Sequence, residues 1–191
     1  ILFKYVDAFS ELVALIIKMS DEKHKGNLLS KILTIITKYL TREHEIQPEK
    51  FNQRVYLRLF SNLLVELNVG SETQLDQQIL IMFANTFAQL QPLAYPGFVF
   101  SWLELISHRM FMPKLLITKQ KIWAPIHTLL INLFRFLEPY LRNAELSPSI
   151  RLIYKGTLKI LLVLLHDFSE FLCDYHFSLC DAIPSTCIQM R

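Results

Sequence analysis

Glycine is scarce in this chain, with only four among 191 residues. Phosphate-binding loops and the tight turns of all-β folds depend on glycine, because it adopts positive φ angles without steric cost. Neither G-x-G-x-x-G nor G-x-x-x-x-G-K-[ST] occurs, which argues against the two common nucleotide-binding loops. The composition therefore favours long helices joined by short connections.

Charge is also limited, since charged residues make up 19% of the sequence and hydrophobic residues 52%. Chains that remain unfolded show the opposite balance, so the composition predicts a folded domain with a sizeable core. The net charge is +3, and its basic excess lies in residues 92–191. A field this weak does not indicate a dedicated nucleic-acid-binding domain.

Cysteine is rare, and its three occurrences, Cys173, Cys180 and Cys187, are odd in number and lie near the end of the chain. No disulfide framework is indicated, and no N-x-[ST] glycosylation acceptor occurs, so a reducing intracellular compartment is expected. The longest uncharged run, Gln77 to Leu103, contains four glutamines, and spanning helices rarely tolerate them. No membrane span is predicted. Because the chain starts at Ile1 without a leader-like region, we expect a piece of a longer polypeptide.

Apolar residues recur with helical spacing in about eight segments separated by proline, glycine and polar breaks. Pro48 suits a first helical turn and Gly70 a helix end, whereas Pro113 is expected to end a helix. The predicted helices are 1–19, 26–42, 48–70, 72–90, 98–110, 125–143, 147–165 and 167–181. Without a repeat of fixed period, this pattern predicts one all-α domain over 1–191, an irregular HEAT-like α-solenoid of about eight antiparallel helices.

Three helix starts carry capping signals. Ser147 followed by Pro148 is a typical N-cap with proline in the first turn. Ser71 with Gln74, and Asp167 with Glu170, have the three-residue spacing of a capping box.

The templates of common enzymes are absent: G-x-S-x-G, H-E-x-x-H and C-x-x-C do not occur. Ser107 and His108 are adjacent in a predicted helix and therefore point about 100° apart, too far to form a nucleophile and base. His166, Cys173, His176 and Cys180 share one helix face. They extend over about 21 Å of helix axis, so at most a pair could share a metal ion. A buried face with a satisfied histidine is the favoured interpretation, and neither a metal nor a cofactor is predicted.

Arg151, Lys155 and Lys159 recur every four residues and predict a basic ridge on one helix. A solvated face explains the ridge without a partner. Docking of an acidic peptide is the second interpretation. Direct RNA binding through the ridge is the alternative function, although aromatic residues are not interleaved with the charges as single-stranded RNA binding prefers.

Aromatic residues concentrate around positions 95–102, and Trp123 lies in a predicted proline-flanked loop over 119–123. Core packing explains most residues of this kind. Any that remain exposed would be anchors for a partner, and the candidates are Tyr95, Phe98, Phe100, Trp102 and Trp123. Gly156, inside a predicted helix, indicates a close helix crossing.

Three stretches carry a specific resemblance: YPGFVFSWLELISHRM (95–110), FLEPYLRNAEL (136–146) and LIYKGTL (152–158) continuing to CDYHF (173–177). They resemble the C-terminal homology domain of the Not-one scaffold subunit of the Ccr/Not deadenylase complex. The match is specific over about 92–191 and looser before it. The chain is similar to the N-terminal portion of that domain.

The resemblance implies a HEAT-like α-solenoid that is not an enzyme. It implies docking of other Not subunits as a heterodimer and capture of short linear motifs from RNA-binding repressors, with messenger RNA engaged only indirectly. Deadenylation, mRNA decay and translational repression would follow, in the cytoplasm, including mRNA-processing bodies, and in the nucleus. The family has no catalytic residues to carry over.

Overall fold

The computed structural model describes residues 2–67, 74–117, 122–143 and 146–191, and these residues form helices and turns with no strand among them. The prediction of an all-α fold is confirmed. The elements are α1 (Leu2–Met19), α2 (Glu22–Ile46), α3 (Gln53–Leu67), α4 (Gln74–Gln89), a short 3-10 helix (Pro96–Phe98), α5 (Val99–Ile106), α6 (Met112–Ile117), α7 (Ala124–Arg142), α8 (Pro148–Asp167) and α9 (Ser169–Ala182). Within the described ranges, no helix is long and apolar enough to cross a bilayer.

The helices form two layers, because the main contacts skip the next helix in the chain. In one layer α1 packs on α3, α3 on α5 and α5 on α8, and in the other α2 packs on α4, α4 on α7 and α7 on α9. The short α5 and α6 together take the place of one helix, so four hairpins are stacked. This is the arrangement of a HEAT-like solenoid.

A single apolar core runs through the stack from Val13 in α1 to Met190 near the end of the chain. Its centre is aromatic: Phe87 meets Phe60 edge-on with ring centroids 5.6 Å apart and Phe111 at 5.2 Å. The indole Nε1 of Trp102 donates to the backbone carbonyl of Phe87 at 2.7 Å. These contacts join α3, α4, α5 and the turn before α6.

A polar link ties α1 to α3. The Arg58 guanidinium donates to both carboxylate oxygens of Asp7, at 2.6 and 2.8 Å. The Asn62 amide donates to Asp7 at 2.8 Å and to the Ser10 hydroxyl at 3.0 Å. Hydrogen bonds from Arg58 and then Asn62 lower the pKa of Asp7 from 3.8 to about 2.

The bounds of the second and third helices differ from the predictions. The second helix begins at Glu22, so that Gly26 lies inside it, and it continues to Ile46 instead of ending near Arg42. The third begins at Gln53 and not at Pro48, because residues 48–50 form a turn in which the Lys50 amide donates to the carbonyl of Gln47. The side chain of Asn52 then accepts from the Arg54 amide, which supplies the start of α3.

Pro113 starts a helix instead of ending one. The predicted helix over 98–110 is shorter in the structure, since α5 ends at Ile106, and a further helix, α6, begins at Met112. Pro113 is the second residue of α6, where a missing N–H costs nothing. The described residues therefore contain nine α-helices, against about eight predicted.

Of the capping signals, only that of Ser147 is confirmed, since its hydroxyl accepts from the amide of Ile150. The capping box at Asp167 and Glu170 is wrong: Asp167 is the last residue of α8, and Phe168 precedes α9 without a side-chain cap. The pair Ser71 and Gln74, together with Gly70, lies outside the residues whose side chains are described.

Replacing Phe87 with Ala should lower the free energy of unfolding by about 3–5 kcal/mol, because it leaves a cavity among three aromatic rings. Urea unfolding followed by circular dichroism measures the change. Phe177, which is 76% exposed, is the matched control, and Phe177→Ala should change stability little. A loss below about 1 kcal/mol for Phe87→Ala would contradict the assigned core.

Acid should weaken the α1–α3 link. Because the folded-state pKa of Asp7 lies below its unfolded value, its stabilisation is present above about pH 4 and is lost as the pH falls towards 2. Unfolding measured between about pH 5 and pH 2 should show a steeper loss of stability for the wild type than for Asp7→Asn. Parallel pH profiles would show that this carboxylate has no such role.

Candidate partner-binding surfaces

Three of the aromatic candidates lie in the core. Phe98 and Trp102 are fully buried and Trp123 is 7% exposed. The Trp123 indole Nε1 donates to the carbonyl of Leu116 at 3.1 Å, and its ring meets Phe171 edge-on. All three side chains therefore belong to the core, which is the interpretation that the sequence favoured for most residues of this kind. They leave no accessible face for a partner.

Tyr95 and Phe100 remain partly accessible. Tyr95 packs edge-on against His44, with ring centroids 5.5 Å apart. The His44 Nε2 accepts from the amide of Gly97 at 3.1 Å, and a Cβ at Gly97 would lie 2.9 Å from that nitrogen. The Phe100 side chain is 39% exposed. Tyr95 therefore belongs to a fixed turn. Of the five aromatic candidates, Phe100 is the one that lines a surface groove.

The basic ridge, defined as Arg151, Lys155 and Lys159, lies on α8 with all three residues exposed. No ion pair among the described residues involves any of them. Residues 148–166 of α8 contain no acidic side chain. The ridge is thus an exposed cationic face, which both interpretations of the sequence require.

A groove separates α5 and α6 from α8, with a cavity volume of about 330 Å³. We name it the α5–α8 groove. Its lining consists of Phe100, Leu103, Glu104, Ser107, Met112, Pro113, Gly156, Lys159, Ile160, Val163 and Phe168. Lys159 thus belongs both to the basic ridge and to the rim of this groove.

Gly156 marks a close crossing of α5 and α8. A Cβ at this position would lie 2.8 Å from Cδ2 of Leu103, closer than side chains approach in ordinary packing. The crossing predicted from a glycine inside a helix is therefore present, and it forms one wall of the α5–α8 groove.

A larger groove of about 700 Å³ lies between α8, α9 and the segment that follows α9. We name it the α8–α9 groove. Its lining is Phe134, Leu158, Leu161, Leu162, Leu165, Ser169, Leu172, Cys173, His176, Leu179, Cys180, Ile183, Gln189, Met190 and Arg191. The Tyr154 hydroxyl holds the last segment by donating to Gln189 at 2.8 Å. The Tyr154 hydroxyl also forms a hydrogen bond with the Cys187 thiol. Burial in the first place, and this hydrogen bond in the second, raise the pKa of Tyr154 to about 12.

The expectation of a buried face at His166, Cys173, His176 and Cys180 is wrong. Cys173 is exposed and Cys180 half-buried, and both histidines are exposed. His166 belongs to α8, whereas the other three belong to α9 and line the open α8–α9 groove. The His166 Nδ1 contacts Asp167 at 2.6 Å, and His176 Nδ1 lies 3.0 Å from the Cys173 carbonyl. No group of three or more metal-ligating side chains occurs in the described part of the chain.

Ser107 and His108 do not form a catalytic pair. The Ser107 hydroxyl donates to the carbonyl of Leu103 at 2.8 Å, while His108 Nδ1 accepts from the amide of Met110 at 3.2 Å. Burial, followed by the charge of Arg109, lowers the pKa of His108. Each group is satisfied by the backbone of its own turn.

A surface that the sequence reasoning missed lies on α1. Apolar side chains between 48% and 84% exposed line the face opposite the one packed on α3. They are Tyr5, Phe9, Leu12, Leu15, Ile16 and Met19. The sequence of α1 did contain a signal for this surface, because apolar residues lie on two faces of the helix. A helix that buries one stripe needs only one apolar face.

A family model described as "CCR4-Not complex component, Not1" matches residues 64–191. This chain belongs to the Not1 family. Among curated relatives, the Caenorhabditis elegans protein named CCR4-NOT transcription complex subunit let-711 is 40% identical over 201 residues, covering 97% of this chain and 8% of the relative. The Saccharomyces cerevisiae General negative regulator of transcription subunit 1 is 32% identical over 207 residues, covering 99% and 10%. This Not1-family chain thus spans about a tenth of the length of its curated relatives.

Solved structures agree with this Not1 assignment. The NOT1 superfamily homology domain from Chaetomium thermophilum matches with a TM-score of 0.88 and 30% identity, over 95% of this chain and 36% of that one. A Not1 C-terminal domain in complex with Not4 matches with a TM-score of 0.81 and 30% identity, over 95% and 39%. The resemblance read from 95–110, 136–146 and 152–177 is confirmed, and with it the HEAT-like fold.

Both tryptophans should behave as buried residues in solution, since Trp102 is fully buried and Trp123 is 7% exposed. We expect blue-shifted fluorescence that iodide quenches weakly, with strong quenching only after unfolding in urea. Each single Trp→Phe variant isolates the other signal. Strong quenching of either indole in the folded protein would return that residue to the candidate partner contacts.

Proposed function

We propose that this chain is a non-catalytic scaffold module of the CCR4-NOT complex. It docks other Not subunits, as a heterodimer, and short linear motifs of RNA-binding repressors, and so serves deadenylation, mRNA decay and translational repression. One observation carries the proposal: 95% of the chain matches a solved Not1 C-terminal domain that is in complex with Not4, with a TM-score of 0.81. The same comparison supports the reading of 1–191 as one helical-repeat domain.

The shape of the chain supports a binding role. Its described residues bury one continuous core, yet leave two grooves and the apolar outer face of α1 accessible. Extended peptides and amphipathic helices bind surfaces of this kind by placing apolar anchors between helices. The Ser107 and His108 side chains are instead bonded to the backbone of their own turns. A scaffold of this complex acts in the cytoplasm, including mRNA-processing bodies, and in the nucleus.

Purified Not4 should bind the chain with micromolar or tighter affinity in isothermal titration calorimetry. Three single substitutions then locate the contact: Leu12→Gln on α1, Val163→Gln in the α5–α8 groove and Leu165→Gln in the α8–α9 groove. All three side chains are at least 46% exposed, so the variants should remain folded. The variant at the contact should weaken binding about tenfold or more, and the other two serve as its controls.

The scaffold proposal fails if Not4 binds neither this chain nor a longer Not1 segment of the length seen in the solved domains. As a test of the non-catalytic role, the purified chain should leave a polyadenylated RNA intact, with and without added divalent metal. Shortening of that RNA by the chain itself would overturn this part of the proposal.

A second candidate function is direct RNA binding, and the exposure of Arg151, Lys155 and Lys159 on one helix favours it. Fluorescence anisotropy with a labelled single-stranded RNA at low salt tests it. Charge reversal at all three positions should then remove binding and flatten its salt dependence. Absence of measurable affinity at low salt rejects this candidate.

A further inference from the structure

We propose that the α5–α8 groove and the basic ridge together form one peptide-binding site. Its ligand is a segment with a single large apolar anchor and two or three acidic residues within about four positions of that anchor. This inference rests on the proposed scaffold function, because it names the class of motif that the scaffold takes at this place.

The floor of the groove suits one apolar side chain. Met112 and Ile160 are buried at its base, with 4% and 6% exposure, while Phe100 and Val163 are 39% and 46% exposed on its sides. Its volume of about 330 Å³ is at the small end of the range for ligand pockets, roughly 300–1,000 Å³. The groove therefore takes an anchor residue and leaves the rest of the peptide on the surface.

The crossing at Gly156 closes one end of the α5–α8 groove. Because Gly156 has no side chain, Leu103 of α5 comes closer to α8 than a Cβ at this position would allow. Both residues line the groove. Leu152 precedes Gly156 by one helical turn and is 61% exposed. An apolar row on α8, formed by Leu152, Gly156 and Val163, thus leads into the α5–α8 groove beside the cationic side chains.

Charge decides which residues flank the anchor. Lys159 lines the groove, and Lys155 and Arg151 lie one and two turns before it on the same helix. The groove also contains Glu104, so groove and ridge together hold three positive charges and one negative charge. With no acidic side chain in residues 148–166, the flank complementary to α8 is acidic.

The length of the ridge sets the length of the acidic segment. Lys159 lies eight positions after Arg151, which corresponds to about 12 Å along the helix axis. An extended peptide advances about 3.3 Å per residue, so about four residues cover the ridge. An apolar anchor bound in the α5–α8 groove therefore places the next four residues of the peptide beside the three cations of the basic ridge.

The side chains around the ridge favour a peptide over RNA. The exposed apolar neighbour of the cations is aliphatic Leu152, and the aromatic Tyr154 is half-buried with its hydroxyl bonded to Gln189. Single-stranded RNA stacks successive bases on accessible aromatic rings. Near the ridge the partly exposed ring is that of Phe100, which belongs to α5 and lines the groove instead of the cationic face. An aliphatic row beside cations matches an apolar and acidic peptide instead.

Selection from a random 12-residue peptide display library on the wild-type chain tests the proposal, because such a library contains acidic, basic and neutral flanks around every kind of anchor. The same selection is made on Arg151→Glu/Lys155→Glu/Lys159→Glu and on Val163→Gln. Lys23→Glu/Lys31→Glu/Lys38→Glu is the matched control, because it makes the same charge change at exposed positions of α2. Thermal unfolding verifies that each variant is folded.

Peptides enriched on the wild type and on the α2 control should share a Phe, Trp, Leu or Met followed or preceded by acidic residues. Ridge reversal should weaken the best synthetic peptide about tenfold or more, and Val163→Gln by a similar factor. Leu165→Gln, in the other groove, should leave it unchanged. Raising the salt concentration should weaken binding to the wild type, which tests the charge term even if the reversed variant fails to fold.

Three results overturn the proposal: no enriched peptide, an enriched motif without acidic residues, or binding unaffected by both the ridge and Val163 variants. Measurable RNA binding that competes with the peptide would assign the ridge to nucleic acid instead. Binding of Not4 to the wild-type chain is measured in parallel. If Not4 binds while no such peptide does, the scaffold function stands and only this site is rejected.

Discussion

The packing of each helix on the next helix of its own layer is the constraint from which the other features follow. Because α1, α3, α5 and α8 form one layer and α2, α4, α7 and α9 the other, the core is a continuous sheet of side chains between them. Each hairpin added to the stack extends this core, which is not enclosed by a ring of helices. Grooves between neighbouring helices are therefore a direct product of the fold.

Large aromatic residues and aliphatic residues have different roles in this arrangement. Phe60, Phe87, Phe111 and Trp102 fill the space between the layers, where their size and the indole bond to a carbonyl hold the helices at one separation. The exposed large apolar side chains are mainly aliphatic, and most of them lie on α1, α2 and α8. Stability therefore depends on the aromatic centre, whereas the surfaces proposed for partner binding lie at the edges of the stack.

The relation to Not1 gives these surfaces a context. Relatives from a nematode and two yeasts match nearly the whole chain, although the chain is at most a tenth of their length. A module of this kind is useful when several weak contacts are joined in one polypeptide, because each contact raises the effective concentration of the next. The peptide site proposed in the α5–α8 groove would be one such contact, and it would not need high affinity by itself.

The sequence by itself determined the helical class, the stacked hairpins and the family, because these depend on local periodicity, on proline and glycine positions and on contiguous motifs such as 95–110. It could not assign Trp102 and Trp123 to the core. It showed that α1 is apolar on two faces but not which face stays exposed, because burial depends on which helix lies opposite. It also misplaced Pro113, which fits a helix start as well as a helix end. Only the tertiary structure brought Lys159, Val163 and Leu103 around one groove, since residues more than fifty positions apart meet through the packing of α5 on α8.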